Sequence, residues 1–205
     1  MKTCKPLISL LAIALSALLF DGHTRGNVSL SYGNGDSMVR RTDNYIQYVN
    51  GIASHGNRFM KTYVKISGHK KYRQITDYRG WPDSTEETIN VVFYKNEPVE
   101  YAETPLNIPG GTNLEYDNYY YEGKILAYRV FEVINQSACT SGALTNTMTV
   151  YYDSTGKIFK TLHTLFGSNN QPVDTATCAA VLNDFTHLYR SYSETPLAKD
   201  GAETK

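Results

Sequence analysis

The run DSTGK at residues 153–157 is the segment that comes closest to a catalytic motif. A phosphate-binding loop also needs a glycine five residues before Gly156, so that backbone N–H groups can surround the phosphate; Tyr151 occupies that position. Ser154 and Lys157 match S-x-x-K, but serine acyl enzymes place that motif at the start of a helix. Strand-like sequence lies on both sides of the run, so we interpret it as a hairpin turn.

Metal ligands are not clustered along the chain. The histidines form neither H-x-x-x-H nor H-x-H, and the sequence contains no D-x-D-x-D-G calcium loop and no G-x-S-x-G nucleophile elbow. We therefore predict no metal site, no cofactor and no catalytic residue. The histidines are interpreted as surface or core residues: His23, His55, His69, His163 and His187.

Two pairs of acidic residues resemble the carboxylates of a glycoside hydrolase. They are Glu86 with Glu87 and Glu97 with Glu100. Glycoside hydrolysis needs two carboxyl groups that face one cleft about 5–10 Å apart. Carboxylates beside strands are usually solvated, so we interpret these four as surface groups.

Tyrosine is the compositional excess, with 17 Tyr against 7 Phe and 1 Trp. Aromatic rings favour strands because they pack well on a pleated surface. If one side of the strands faces solvent, the rings form a surface that stacks on sugars or contacts a protein partner. Otherwise they pack across strands in the core. The candidate surface comprises Tyr119, Tyr120, Tyr121, Tyr128, Tyr151, Tyr152 and Trp81.

The first residues have the pattern of a secretory signal peptide. Lys2 and Lys5 precede an apolar run at residues 7–20. As a helix this run would span about 21 Å, which is shorter than the roughly 30 Å of a bilayer core. We predict a signal peptide at residues 1–22, a periplasmic or extracellular location and no membrane span after cleavage. A buried core helix and an uncleaved anchor are the alternatives.

The cysteines favour one disulfide bond. Cys4 lies in the leader, which leaves Cys139 and Cys178 in the exported chain. Two thiols in an oxidising compartment most simply form a bridge. Closing a loop of about 40 residues stabilises by roughly 4 kcal/mol in the chain-entropy model. The alternative is a reactive thiol, but neither cysteine has a histidine or basic neighbour to activate it.

The hydrophobic pattern divides the chain into a helix, a strand-rich region and a second helix. Residues 23–35 form a polar lead-in, and apolar residues at helical spacing follow to residue 53. From residue 58 to residue 166 hydrophobic residues recur at every second position, which is the pattern of β-strands, with polar turns at 95–98, 122–124 and 153–157. A second apolar helical stripe runs from Cys178 to Tyr192. We expect Pro196 to end that helix and residues 196–205 to be a disordered tail.

These elements predict an α+β fold in which a curved antiparallel β-meander of about eight strands packs with an N-terminal and a C-terminal amphipathic helix. A single domain is expected at residues 36–195. With 20 basic and 20 acidic residues, the chain lacks the basic excess that a broad nucleic-acid-binding face requires.

For function, the leader, the cysteine pair and the lack of a catalytic motif favour an exported, non-enzymatic binding protein. Its expected partner is another protein, a glycan or a lipid of the cell envelope. Three alternatives stay open: a cell-envelope hydrolase with dispersed site residues, a small inhibitor or immunity-type protein, and a lipid carrier.

Overall fold

The computed structural model describes residues 35–77, 81–106, 108, 112–135, 142–174 and 184–203. Helix α1 spans Gly35–Ala53, which confirms the predicted first helix. It buries Tyr45, Ile46, Val49 and Ile52, whose spacing of three or four residues places them on one face. A short 3-10 turn, Gly56–Arg58, leads into the first strand.

Nine strands form one sheet in the order β8-β7-β6-β5-β4-β3-β1-β2-β9. The sheet is mixed, because β9 pairs parallel to β2 while the other neighbours pair antiparallel. The strands are β1 Met60–Ile66, β2 Tyr72–Ile75, β3 Thr85–Tyr94, β4 Glu97–Pro105, β5 Asn113–Tyr121, β6 Lys124–Ile134, β7 Leu144–Tyr152, β8 Ile158–Gly167 and β9 Ala202–Glu203.

The three predicted turns connect neighbouring strands. Two-residue loops with positive φ at both positions join β3 to β4, at Lys95 and Asn96, and β5 to β6, at Glu122 and Gly123. This backbone matches the right-handed twist of the paired strands. Between β7 and β8, Oδ1 of Asp153 accepts hydrogen bonds from the backbone N–H groups of residues 155 and 157. The run DSTGK is therefore a hairpin turn, as interpreted from the sequence.

The sheet is covered on both faces. Helix α1 packs on one face, against Val92, Val99, Tyr119, Leu126 and Ala127. The C-terminal residues 184–197, called here the C-terminal segment, contribute Leu188, Tyr189, Tyr192 and Leu197 to the core on the other face. Side chains of both parities are therefore buried in the central strands.

The C-terminal part of the chain differs from the prediction. Described residues 184–195 contain turns and a 3-10 turn, Tyr192–Glu194, where a helix was predicted. Pro196 begins helix α2, Pro196–Asp200, because the first helical position needs no N–H donor. Residues 196–203 are thus an ordered helix and strand, and the predicted disordered tail is wrong there; Leu197 is buried. With β1 between β3 and β2, and β9 added in parallel, the sheet also departs from a simple eight-stranded meander.

Several predictions lie outside the described residues. These are the signal peptide at residues 1–22, nearly all of the lead-in, and both cysteines of the predicted disulfide, Cys139 and Cys178. Among the residues that the structure does describe, no helix has the length and apolar character needed to span a membrane.

Candidate functional site

Three residues converge where the C-terminal segment meets the neighbouring strands β3 and β4. Glu87 of β3, Glu103 of β4 and His187 each offer one potential ligand atom, and these atoms all lie within 4.8 Å of one another. In the sheet register Glu87 pairs with Pro105 and Glu103 pairs with Ile89. The two glutamates are therefore diagonal neighbours on the same face. We call these three residues the carboxylate–imidazole cluster.

Glu103 is the buried centre of this cluster, with 1% of its surface exposed. Its Oε1 accepts a hydrogen bond of 2.8 Å from the hydroxyl of Tyr101. Its Oε2 lies 2.6 Å from Nδ1 of His187, and the Tyr189 hydroxyl lies 3.3 Å from both oxygens. A buried carboxylate is costly unless such partners replace water. Residues of β4 and of the C-terminal segment supply them here.

Glu87 is half-buried beside this centre. Burial and the charge of Glu103 raise its pKa to about 7. His187, Lys65 and a hydrogen bond from the Tyr72 hydroxyl act in the opposite direction, but do not cancel the increase. Glu87 therefore changes protonation near neutral pH.

His187 is held from two sides. Its ring stacks on Tyr116 with centroids 4.1 Å apart, and the Tyr116 hydroxyl donates to Asp184 Oδ2 at 2.7 Å. Asp184 Oδ1 in turn accepts from the backbone N–H of Thr186 at 2.8 Å, which closes a tight turn just before His187. Burial lowers the pKa of His187, but the hydrogen bond and charge of Glu103 raise it above the ordinary value. Its side chain is 30% exposed, so solvent reaches the cluster at this point.

Asn118 fixes the backbone on either side of Leu188, at His187 and at Tyr189. Its Nδ2 donates to the carbonyl of His187 at 3.0 Å, and its Oδ1 accepts from the N–H of Tyr189 at 2.9 Å. Asn118 itself is fully buried on β5. The Asn118 side chain therefore donates one hydrogen bond to the C-terminal segment and accepts another, as the backbone of a neighbouring strand would.

Three tyrosines add buried hydroxyl groups to the same side of the sheet. Tyr120, Tyr128 and Tyr152 pack in the core that the C-terminal segment covers. Within the part of the chain that the structure describes, their hydroxyls have no hydrogen-bond partner. Burial and the charge of Glu103 both raise the pKa of Tyr120. Unpaired buried hydroxyls are uncommon and often mark a place where water or a ligand binds.

A second polar cluster lies on the opposite face, under α1. Both Nε and Nη2 of Arg129 lie 2.7 Å from Oδ2 of Asp117. The charge of Asp117, followed by burial, raises the pKa of Glu115 to about 8. Burial, followed by the charge of Asp117, raises the pKa of Glu100 to about 7. We call these four residues the arginine–carboxylate cluster; its three carboxylates share one guanidinium.

The proposed aromatic surface is wrong for five of its tyrosines. Exposure is 0% for Tyr119, 1% for Tyr120, 0% for Tyr128, 3% for Tyr151 and 0% for Tyr152. They also point to opposite faces: Tyr119 packs under α1 and Tyr151 donates to Asp43 of α1, whereas the other three face the C-terminal segment. Helix α1 covers one face of the sheet and the C-terminal segment covers the other, so tyrosines that point to either face are buried. Tyr121 and Trp81 are half-buried.

The acidic pairs suggested by sequence spacing do not form a site. Glu86 is exposed while Glu87 is half-buried, as alternation along β3 requires. Glu97 is exposed, and Glu100 belongs to the arginine–carboxylate cluster. Sequence reasoning missed Glu103 and treated His187 as an isolated histidine. The available signal for Glu103 was its place among apolar residues of a strand.

Comparison of the chain with protein-family models, with curated proteins and with solved structures gives no significant match. The geometry of the clusters is therefore what can indicate function.

Proposed function

We propose that the protein is an exported binding protein that binds a cationic ligand at the carboxylate–imidazole cluster. The observation that carries this proposal is the convergence of Glu87 and Glu103 from neighbouring strands to within 4.8 Å of each other and of His187. The basic leader and the cysteine pair support the periplasmic or secreted location.

The charge around the cluster favours a cation. Three carboxylates face this region, from Glu87, Glu103 and Asp184, and their charges act on His187. The cationic groups acting on Glu87 are His187 and Lys65. Lys65 is already engaged, because its Nζ donates to the carbonyl of Lys70 at 2.7 Å. Carboxylates held close together repel each other, and a bound cation relieves that repulsion.

Aromatic rings complete the surroundings of the site. Tyr101 and Tyr189 lie edge to face with centroids 5.6 Å apart, and both donate to Glu103. Tyr116 stacks on His187. Faces of such rings attract cations, and their hydroxyls orient the carboxylates. The tyrosine excess therefore serves the interior of the site in this proposal.

Irregular pairing supports the curved sheet expected from the sequence. The register shifts opposite Val92/Phe93, Tyr119/Tyr120 and Tyr151/Tyr152 leave one extra residue in each of β4, β6 and β8, and all three lie near the hairpin turns at one end of the sheet. Bulges increase twist and bend a strand. Three such bulges at one end of the sheet favour a curved sheet there.

Thermal unfolding in the presence of simple cations tests the binding site. Calcium chloride, zinc chloride and putrescine are the probes, and at least one should raise the Tm of the purified protein. Glu87→Gln should abolish the increase. Glu86→Gln is the matched control, since it removes the same charge from the exposed side of the same strand. A Tm that no probe raises, or an increase that survives Glu87→Gln, would contradict the proposal.

Export is tested separately by cell fractionation and intact-mass measurement. Expressed with its own leader, the protein should be recovered outside the cytosol with a mass that lacks the N-terminal residues. Recovery of the full-length chain from the cytosol alone would contradict export.

A hydrolase is the second candidate function, and the protonation of Glu87 favours it. A carboxyl group with a pKa of about 7 suits proton transfer near neutral pH. One carboxylate oxygen of Glu87 lies within 4.8 Å of one of Glu103, which does not exceed the roughly 5 Å between the carboxyl groups of retaining glycosidases. Turnover of nitrophenyl glycosides by the purified protein, lost in Glu87→Gln and kept in Glu86→Gln, would establish this candidate over simple binding.

A further inference from the structure

We propose that the cation is a divalent transition metal of the zinc class, held by Glu87, Glu103 and His187. This inference rests on the proposed function, because it specifies which cation the cluster binds. Two carboxylate oxygens and one imidazole nitrogen make a three-residue ligand set, and the exposed side of His187 leaves a further position open to solvent.

The distances allow one ion to bind all three residues. Zinc lies about 2.0–2.2 Å from nitrogen and oxygen ligands, so tetrahedral ligand atoms are about 3.4 Å apart. The three atoms of the cluster already lie within 4.8 Å of one another. The 2.6 Å between His187 Nδ1 and Glu103 Oε2 would have to widen by less than about 1 Å, and a pair at the 4.8 Å limit would have to close by about 1.4 Å. His187 lies in a turn outside the sheet, so a shift of its ring within the plane stacked on Tyr116 can provide that change.

The donor types discriminate between classes of metal. Calcium and magnesium prefer sites made of oxygen ligands, whereas imidazole together with carboxylate suits zinc and its transition-metal neighbours. Calcium or magnesium, which prefer oxygen ligands, would not be stabilised by the imidazole nitrogen of His187, which lies next to Glu103. The identity of the third residue therefore points to a transition metal.

The surrounding residues hold the ligands in place, as outer residues of metal sites do. Tyr101 fixes Glu103, Asn118 fixes the backbone of His187, and Tyr116 supports its ring. Independently of the ligands, Tyr120 lies in the same core cluster as Tyr101 and Tyr116, and its buried hydroxyl lacks a hydrogen-bond partner among the described residues. Solvent bound to a metal is a hydrogen-bond partner that such a hydroxyl can use.

The test uses untagged full-length protein whose free thiols have been alkylated, so that neither cysteines nor a purification tag can bind metal. Calorimetric titration with zinc chloride should show one ion per chain. His187→Gln and Glu87→Gln should each weaken binding roughly tenfold or more. The matched controls, His69→Gln and Glu86→Gln, replace exposed residues of the same types and should leave the affinity unchanged.

Cobalt provides a readout of the ligand set. Cobalt chloride should produce visible d–d absorption in the native protein, and His187→Gln should shift and weaken that absorption because it removes the nitrogen ligand. Far-ultraviolet circular dichroism must show that each variant keeps the strand content of the parent. A variant that unfolds is replaced by His187→Asn, which tests the same ligand with a smaller side chain.

The outcomes separate the two proposals. If calcium or putrescine raises the Tm in a Glu87-dependent manner while zinc binding is absent or unaffected by His187→Gln, the metal inference is overturned and the cation-binding proposal stands. If no cation binds in a Glu87-dependent manner, both are overturned. Zinc binding lost in His187→Gln and Glu87→Gln, but kept in both controls, supports both.

Discussion

Nδ1 of His187 lies 2.6 Å from Oε2 of Glu103, although 84 positions separate the two residues. This contact joins the C-terminal segment to the middle of the sheet and completes the carboxylate–imidazole cluster. Asn118 reinforces it through two hydrogen bonds to the backbone of the same segment. The candidate site and the attachment of the C-terminal segment therefore depend on the same residues.

Asn118→Ala should loosen the C-terminal segment. It removes two part-buried hydrogen bonds, each contributing about 0.5–1.5 kcal/mol, so the free energy of unfolding should fall by roughly 1–3 kcal/mol. Hydrogen exchange should speed up at the amides of Tyr189 and of Ile125, which donates to the carbonyl of Arg190. Unchanged exchange at both amides would show that other contacts hold the segment.

The arginine–carboxylate cluster should make stability fall as pH rises from about 4.5 to 8. Glu100 and Glu115 have pKa values of about 7 and about 8 in the folded protein, against 4.5 as the ordinary value. Between these values the folded state holds more protons than the unfolded state, so raising the pH favours unfolding. Their stabilising contribution is complete below pH 4.5, falls progressively above it and is lost once the pH has passed 7 to 8.

Urea unfolding at a series of pH values measures this effect. Glu115→Gln should flatten the dependence and stabilise the protein at pH 8, because it removes one of the charges that repel Asp117. Part of the dependence of unfolding free energy on pH should remain in Glu115→Gln, because Glu87 on the other face also has a raised pKa, of about 7. Glu86→Gln serves as the control and should preserve the full slope. A Glu115→Gln protein with the parent's pH dependence would refute this explanation.

Glu122→Asn should stabilise the hairpin between β5 and β6. Glu122 has φ of 51° and precedes Gly123, whose φ is 74°. Asparagine adopts this left-handed conformation more readily than glutamate, and Asn-Gly is a preferred two-residue turn. We expect a gain of about 0.5 kcal/mol, measured as a higher urea midpoint. Gly123→Ala should act in the opposite direction; equal midpoints for all three proteins would contradict the turn assignment.

Tyr45→Phe should weaken the attachment of α1. The Tyr45 hydroxyl donates to the buried carbonyl of Tyr120 at 2.7 Å, and its loss should cost about 1 kcal/mol. Ser54→Ala removes a hydroxyl-to-carbonyl bond of equal length at an exposed position and should change stability by less than about 0.5 kcal/mol. Similar losses in both variants would argue against a special role of the buried bond. Chemical denaturation provides the comparison.

The elements that the sequence predicted correctly are those whose signals are local. Helix α1 follows from apolar residues three and four positions apart, and the hairpins follow from alternating strands around turns such as Glu122-Gly123. In each, the residues that form the hydrogen bonds are near neighbours along the chain. Local patterns were misleading in the C-terminal segment, where apolar residues at helical spacing instead spread over the sheet, with Asn118 and Ile125 bonding its backbone.

By itself the sequence determined the first helix, the strand-rich middle and the positions of its turns, because period and turn chemistry are properties of adjacent residues. Only the tertiary structure decided which tyrosines are buried and that Glu87, Glu103 and His187 meet. Strand register places the two glutamates side by side, and the path of the C-terminal segment brings the histidine over them. The strand register and the path of the C-terminal segment cannot be read from the spacing of these residues along the chain. Both depend on how the whole chain packs to bury its apolar surfaces.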